Sequence, residues 1–313
     1  MATGINPVKE RGSPKLAPRL AQMMDGWQKG HPATVKMCPV EVDVPECLAK
    51  AGRAPSATEK DKAIGDWALV AFYFLLRIGE YTGGQAAANS KQTVNYRLCD
   101  AGFFVKGARG RLRRLPQDAS DEEILAADGA TLKLDNMKNG WRNVCVHHEA
   151  NGDPYYCPVK ALARRFVHVR RRVAGTRGWR TFMSAYWEGG VRFSLTDKDM
   201  RAGLKAAADQ LHYEGEKGIP TDRVDTHSLR MGGANALALA GYSDTQIQKM
   251  GRWRGATFKE YIREELACYS KGMTRSMRRK FGFVNVAAGN LVDITDTTVV
   301  TAYTANPSSA AAA

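Results

Sequence analysis

The chain has 313 residues, of which 44% are hydrophobic, so it can form one large or two ordinary domains with buried cores. Its formal net charge is +14, and residues 284–313 contain no Lys or Arg, so the positive charge lies in the rest of the chain. This balance favours an anionic partner, with nucleic acid ahead of an anionic membrane. A membrane-surface protein would gather its charges on one amphipathic helix, whereas here they are spread over several predicted elements.

The cysteines indicate a reducing compartment. All six are scattered and none forms a C-x-x-C pair, which argues against a disulfide framework and against a zinc site. The N-terminal residues lack the hydrophobic stretch of a signal peptide. The longest apolar run, Trp67 to Leu76, has ten residues and is too short to span a bilayer. The sequence therefore predicts a soluble intracellular protein.

The first part of the chain is predicted to be mostly irregular. Residues 1–57 are rich in Pro, Gly and Lys, and only a short amphipathic helix near 17–28 is expected. Ser56 and Glu59 have capping-box spacing and predict a strong helix over about 59–81, with apolar residues every three or four positions. Gly83 and Gly84 are expected to end it.

The middle and last parts predict a small sheet followed by helices. Residues 93–148 contain four short strand-like segments, TVNYRL, GFFVKG, ATLKL and RNVCVHH, and a basic run, RGRLRR. Helix starts are expected at Pro158, Thr196, His227, Ser243 and Thr257. This order predicts a mainly helical α+β domain with a small antiparallel β-sheet over 58–283, followed by a flexible or partner-docking tail over 284–313.

Five short motifs hold side chains that are used in phosphate chemistry. They are LLRIGEYT with Arg77 and Glu80, THSLRMGG with His227 and Arg230, GRWRG with Trp253, FKEYIRE with Tyr261, and LDNMKNGWR with Lys138. Each has an ordinary structural explanation when it is taken alone, such as a helix-end arginine or a core aromatic. Together they supply what a metal-free exchange of phosphodiesters requires.

The chemistry of such an exchange matches these residue types. Two guanidinium groups can hold the non-bridging oxygens and stabilise the charge of the transition state. A tyrosine hydroxyl can attack phosphorus and keep the bond energy in a phosphotyrosine, so rejoining needs no ATP. A lysine can protonate the leaving 5′ oxygen, a histidine can relay the tyrosine proton, and an indole N–H can donate to a phosphate oxygen. No acidic or histidine cluster has metal-ligand spacing, so neither a metal nor a cofactor is predicted.

In this order and spacing, the motifs resemble those of the tyrosine recombinase, or phage integrase, family. The resemblance covers about 60–283 and implies a DNA breaking-rejoining domain that works through a 3′-phosphotyrosine without metal or ATP. The motif sequences are most similar to recombinases of eukaryotic mobile elements of the DIRS or Crypton kind. The implied catalytic residues are Arg77, Lys138, His227, Arg230, Trp253 and Tyr261, with Glu80 as the supporting acid. Lys133, on the preceding strand, is the alternative hairpin lysine.

The resemblance also implies partners. Double-stranded DNA is the expected substrate, bound by a homo-oligomer that assembles on it, with a nuclear location if the host is eukaryotic. Further DNA-binding candidates are Arg109, Arg111, Arg113, Arg114, Arg252 and Arg254. Relatives carry a helical core-binding domain ahead of the catalytic domain, and residues 1–57 are long enough for only a remnant of it.

Two other functions fit part of the pattern. A type IB topoisomerase shares the fold and a similar catalytic set but relaxes DNA, and Trp253 with the short segment leading to Tyr261 favours the recombinase. A catalytically silent DNA-binding remnant of a mobile element is the other alternative, and the intact catalytic set weighs against it.

Overall fold

The computed structural model describes residues 15–30, 37–83, 95–135, 143–173 and 175–255, together with Lys259. The helices are α1 (Pro18–Gly30), α2 (Asp43–Ala51), α3 (Glu59–Tyr73), α4 (Ile78–Tyr81), α5 (Asp121–Leu125), α6 (Pro158–Arg170), α7 (Gly175–Gly178), α8 (Asp197–Gln210), α9 (Tyr213–Lys217), α10 (Thr226–Leu239) and α11 (Asp244–Gly251). The strands are β1 (Ala101–Lys106), β2 (Leu112–Arg114), β3 (Gly129–Leu134), β4 (Val144–Glu149), β5 (Ala185–Glu188) and β6 (Val191–Ser194). The predicted fold class, mainly helical α+β with a small antiparallel sheet, is confirmed.

Helix α3 is the centre of the core, and all of its residues from Ala63 to Phe72 are buried. Its N-terminus is closed by Thr58 and Asp61, whose side chains each accept a hydrogen bond from the other's backbone N–H at 3.1 and 3.0 Å. The predicted cap at Ser56 was therefore wrong by two positions. The predicted single helix over 59–81 was also wrong, because the chain leaves the helix after Tyr73 and re-enters one only at Ile78.

The main sheet has the strand order β2-β1-β3-β4, and all its neighbours are antiparallel. Phe103 pairs with Ala130, and Leu132 pairs with Val146, so these apolar side chains lie on one buried face. Helix α6 covers that face, with Phe166 against Phe103 at 5.1 Å between ring centroids. The segments predicted as GFFVKG, ATLKL and RNVCVHH contain three of the strands. The segment TVNYRL was predicted as a strand, but within its described residues Arg97 forms only an isolated antiparallel bridge with Phe182, and Leu98 begins a short 3-10 turn.

A second, two-stranded sheet was not predicted. Strands β5 and β6 pair antiparallel through a two-residue loop, Gly189-Gly190, in which both residues have positive φ angles of 55° and 81°. This is the backbone that a tight hairpin turn requires, and glycine adopts it at no steric cost. The Gly-Gly pair between alternating apolar residues is the local signal that would have identified it.

Helix α2 extends the core towards the N-terminus. Val40, Val44 and Leu48 are buried in the same cluster as α3, and α2 packs against α3 and α8. Lys217 on α9 donates to Glu41 at 2.5 Å and to Asp43 at 2.8 Å, which fixes the start of α2. The packed domain therefore begins before residue 58, and within the predicted irregular segment both 18–30 and 43–51 are helical. Within the part of the chain that the structure describes, no helix is both long and apolar enough to cross a membrane.

Helix α10 packs unusually close to α3. A Cβ added to Gly233 would lie 2.2 Å from the Phe72 carbonyl oxygen, and one added to Gly232 would lie 1.9 Å from that of Val40. Backbone atoms cannot move aside as a flexible side chain can. Gly233 therefore sets the distance from α10 to α3, and Gly232 sets the distance from α10 to the segment at Val40.

We therefore expect Gly233→Ala to lower the free energy of unfolding by about 1–3 kcal/mol, as overpacking of a filled core does. Gly215→Ala on α9 is the matched control, because nothing lies within 4 Å of its added Cβ. Urea unfolding of both variants measures the effect. If Gly233→Ala and Gly215→Ala were equally stable, the α3–α10 contact would have room for a methyl group at position 233.

Candidate active site

The site is organised by a turn at Leu75, which follows α3. Leu75 is buried and has a positive φ of 49°, an unfavourable conformation for a side chain of this kind. Its carbonyl oxygen accepts hydrogen bonds from Arg230 Nη1 and from Arg252 Nη2, the latter at 2.8 Å. Two buried guanidinium groups thus hold the turn in place. As a result Arg77 begins the new helix α4, instead of ending a long helix as predicted.

The Glu80 carboxylate holds both the backbone and the side chain of Arg77 in place. Its side chain is fully buried and accepts from the Arg77 backbone N–H at 3.0 Å and from Arg77 Nη1 at 3.3 Å. The other guanidinium on the same carboxylate is that of Arg252, at 3.0 Å from Oε2. The Arg77 side chain itself remains 24% exposed. Glu80 therefore orients a guanidinium that solvent can still reach.

Arg252 is not at the surface, where its predicted DNA contact would require it to be. Its side chain is fully buried and donates to Leu75, to Glu80 and, at 3.5 Å, to the hydroxyl of Tyr96. The residue caps the C-terminus of α11 in the left-handed region, with φ of 58°, and this turns its side chain inward. The charged sequence GRWRG gives no local sign of that turn. Arg254, two residues later, is exposed.

Arg230 and Trp253 form a buried stacked pair. Arg230 is 1% exposed, and its Nη2 donates to the Gly251 carbonyl while its Nη1 donates to Leu75. The Arg230 Cζ lies 4.3 Å from the centroid of the Trp253 ring, within cation–π distance. Gly251 makes room for this ring, because a Cβ there would lie 1.5 Å from it. Trp253 thus packs on a predicted catalytic arginine, and that arginine is covered in this state.

His227 lies on the first turn of α10, after the N-cap Asp225, and its side chain is exposed at the surface. Partial loss of hydration lowers the pKa of its imidazole, and the nearby positive charges of Arg230 and Arg77 lower it further. Asp225 acts in the opposite direction with a smaller effect. His227 is therefore a neutral imidazole at pH 7, in the same electrostatic cluster as both predicted arginines.

Two predicted catalytic residues, Lys138 and Tyr261, lie outside the described residues, as does the predicted tail over 284–313. Strands β3 and β4 pair up to Leu134 and Val144, so Lys138 belongs to the connection between two paired strands. The alternative lysine, Lys133, is on β3 with an exposed side chain 3.7 Å from Asp135. Within the described ranges, no three Asp, Glu, His or Cys side chains come together as a metal site.

The basic run covers the end of the β1–β2 connection and the whole of strand β2. Arg109 has a positive φ of 66° in the connection between the strands. The predicted DNA-binding arginines there are all exposed: Arg109, Arg111, Arg113 and Arg114. They are positioned to meet an anionic surface, unlike Arg252.

Removing the buried Arg252 should cost stability. In Arg252→Leu the Glu80 carboxylate stays buried and keeps only Arg77, so we expect a loss of about 3–5 kcal/mol in the free energy of unfolding. Arg254→Leu is the control, since an exposed position should change stability by no more than about 0.5 kcal/mol. Denaturant unfolding of both variants tests this. If Arg252→Leu were as stable as the unchanged protein, Arg252 would not stabilise the Leu75 turn and the buried Glu80 carboxylate.

Comparison with known proteins gives only distant structural likeness. No protein-family model and no curated protein matches the chain. Among solved structures, the integrase of the Tn1549 transposon in complex with circular intermediate DNA is 12% identical, with a TM-score of 0.41, covering 82% of this chain and 76% of that one. XerA recombinase is 14% identical, with a TM-score of 0.43, covering 80% and 68%.

Proposed function

We propose that the protein is a DNA strand transferase of the tyrosine recombinase type, which cleaves and rejoins double-stranded DNA through a 3′-phosphotyrosine at Tyr261. The observation that carries the proposal is the meeting of three distant segments at the Leu75 turn. Arg77 and Glu80, His227 and Arg230, and Trp253 form one cluster around this turn, where Arg252 donates to the Leu75 carbonyl across 177 positions. These are the residue types that a metal-free phosphodiester exchange needs.

In the proposed reaction, the exposed guanidinium of Arg77 binds a non-bridging oxygen of the scissile phosphate. Arg230, which is buried in the same cluster, adds positive electrostatic potential at the phosphate, where negative charge develops in the transition state. The hydroxyl oxygen of Tyr261 forms a bond to phosphorus, and the bond from phosphorus to the 5′ oxygen breaks. Neutral His227 accepts the tyrosine proton, and the hairpin lysine, Lys138 or Lys133, protonates the 5′ oxygen. The reverse sequence rejoins the strand.

The remaining features fit an enzyme that handles duplex DNA. The exposed arginines of the β1–β2 hairpin and Arg254 would bind backbone phosphates without reading the sequence. A homo-oligomer on DNA, a nuclear location in a eukaryotic host and an origin in a mobile element of the DIRS or Crypton kind belong to the same proposal, as does a remnant core-binding segment within 1–57.

The decisive experiment traps the covalent intermediate. The full chain is incubated, in EDTA, with a pool of randomised duplexes. Each is nicked so that the short downstream fragment, which leaves with a free 5′ hydroxyl, diffuses away. We expect a denaturant-resistant protein–DNA adduct, with the modified peptide mapping to Tyr261. Absence of any adduct across the pool would refute the proposal. Relaxation of supercoiled plasmid without strand exchange would instead identify a type IB topoisomerase.

The rate of adduct formation should depend on His227 protonation. Since the pKa of His227 is lowered from its usual 6.5, the base form persists as pH falls below 6.5 and is lost only further down. We therefore expect a rate that is flat from pH 8 to 6.5 and declines at lower pH. Single-turnover rates at saturating DNA measure it. In His227→Gln most of the rate should be lost, and the remaining rate should no longer decline at low pH. In His212→Gln, which changes an exposed histidine outside the site, the rate and its decline at low pH should match those of the unchanged protein.

A further inference from the structure

A cavity of about 220 Å³ lies between α2, α3 and α6, and none of its lining residues belongs to the candidate active site. Its charged lining residues are Arg53, Glu59, Lys62, Asp66, Arg164 and Arg165. The volume is many times what a single water needs, on the order of 10–15 Å³. Four cations and two carboxylates thus line one pocket that solvent can enter.

Both carboxylates are already engaged. Asp66 Oδ1 accepts from Arg164 Nε at 2.9 Å and from Arg164 Nη2 at 2.6 Å. Glu59 accepts from Lys62 Nζ at 2.8 Å and lies 3.0 Å from His168 Nδ1. The pKa of His168 is lowered to about 4, chiefly by burial, so this histidine adds no charge at neutral pH. The acidic groups therefore leave positive charge in the cavity uncompensated.

Arg165 is the most deeply buried of these cations. It is 1% exposed, and its Nη2 donates to the carbonyl oxygens of Met183 at 3.4 Å and Ala185 at 2.5 Å. Its Nε is buried without a hydrogen-bond partner. Burial lowers its pKa to about 10, so it is still charged at pH 7. Burying a charge is costly, the attraction of Asp66 and Glu59 offsets only part of the desolvation of Arg165, and an anion in the adjoining cavity would offset more of it.

Arg53 also lines this cavity, and its side chain is held in place by two neighbouring tyrosines. Its Nη1 donates to the Tyr155 carbonyl at 2.7 Å, and its Cζ lies 5.1 Å from the centroid of the Tyr156 ring. These contacts restrict the side chain before any ligand arrives, which reduces the entropy lost on binding. Arg53 and Arg165 thus present two guanidinium groups to one space.

We propose that this cavity binds a small tetrahedral oxyanion of the phosphate class. Guanidinium forks match the oxygens of such an ion, and its several acceptor oxygens suit donors that converge from different elements. A phosphodiester within duplex DNA cannot reach Arg165, because that side chain is almost fully enclosed. The ligand is therefore a free ion or the terminal phosphate of a small molecule, and the site is separate from DNA cleavage.

Isothermal titration of the full chain with inorganic phosphate tests the proposal, with sodium chloride at matched ionic strength as the blank. We expect saturable binding of one phosphate per chain. Arg53→Gln should weaken it about tenfold or more, the typical effect of losing one charged hydrogen bond. Arg171→Gln makes the same change of net charge at an exposed position outside the cavity and should leave the affinity unchanged.

Arg165→Gln should abolish binding, and if this buried change prevents folding, Lys62→Gln replaces it with an expected weakening. No saturable heat above the chloride blank would overturn the proposal, as would equal phosphate affinities of Arg53→Gln and Arg171→Gln. Because the titration contains no DNA, its result does not depend on the strand-transfer proposal.

Discussion

The Tyr261→Phe variant should form no covalent adduct with nicked duplex DNA, while its affinity for that DNA stays unchanged. Phenylalanine keeps the ring and its packing and removes only the hydroxyl oxygen, which is the atom proposed to attack phosphorus. The variant therefore separates nucleophilic attack from folding and DNA binding. Denaturing gels measure the adduct, and filter binding measures the affinity.

Other tyrosines supply the matched controls. Tyr242, between α10 and α11, is 51% exposed, so its hydroxyl is accessible as an alternative nucleophile to that of Tyr261. Tyr269 lies eight residues beyond Tyr261 in the same segment of sequence. Both Tyr242→Phe and Tyr269→Phe should form the adduct at the normal rate. An adduct that persists in Tyr261→Phe and disappears in either control would reassign the nucleophile.

Arg77→Ala should lower the rate of adduct formation by about 10²-fold or more, as loss of one transition-state donor does. The structure predicts that the fold survives, because Glu80 keeps its 3.0 Å contact with Arg252 when the Arg77 side chain is removed. Arg77→Lys keeps the positive charge but loses the bidentate donor geometry of the guanidinium group. Its rate should therefore lie between those of the unchanged protein and Arg77→Ala. Single-turnover rates at saturating DNA provide the comparison.

Arg192→Ala, on the exposed strand β6, is the control for loss of one surface positive charge. Its rate at saturating DNA should match that of the unchanged protein, and all three variants should remain folded under the assay conditions. A near-normal rate for Arg77→Ala would refute the phosphate-binding role. An equal fall for Arg192→Ala would show that overall charge, and not the position of Arg77, controls the rate.

Elements that depend on local interactions could be predicted from the sequence. The caps at Thr196, Asp225 and Ser243 each begin a helix, because a capping side chain bonds a backbone N–H only a few residues away. Gly241 follows α10 with a positive φ of 83°, as expected for a C-terminal glycine. The β5–β6 hairpin also had a local signal in Gly189-Gly190.

The break after α3 could not be predicted in this way. A run of apolar residues with helical spacing continues through Leu75 and Leu76, and helix propensity favours its extension. The interactions that oppose it come from Arg230 and Arg252, which are 155 and 177 residues away. Tertiary hydrogen bonds to one carbonyl thus override the local preference.

The membership of the candidate site was easier to predict than its arrangement. The motif order identified Arg77, Glu80, His227, Arg230 and Trp253, and the structure brings them together. Their catalytic roles stay predictions. The burial of Arg230 beneath Trp253 and the inward turn of Arg252 depend on packing between α10, α11 and the Leu75 turn, which no spacing of residues along the chain reveals.

The shared Leu75 carbonyl also has a consequence during synthesis. At about 5–20 residues per second, roughly 9–35 s pass between translation of Leu75 and translation of Arg252, 177 positions later. Throughout that interval the turn that places Arg77 lacks at least one of the two arginines that hold it. If the proposed strand transfer is correct, a nascent chain therefore cannot cleave DNA until residue 252 has been made.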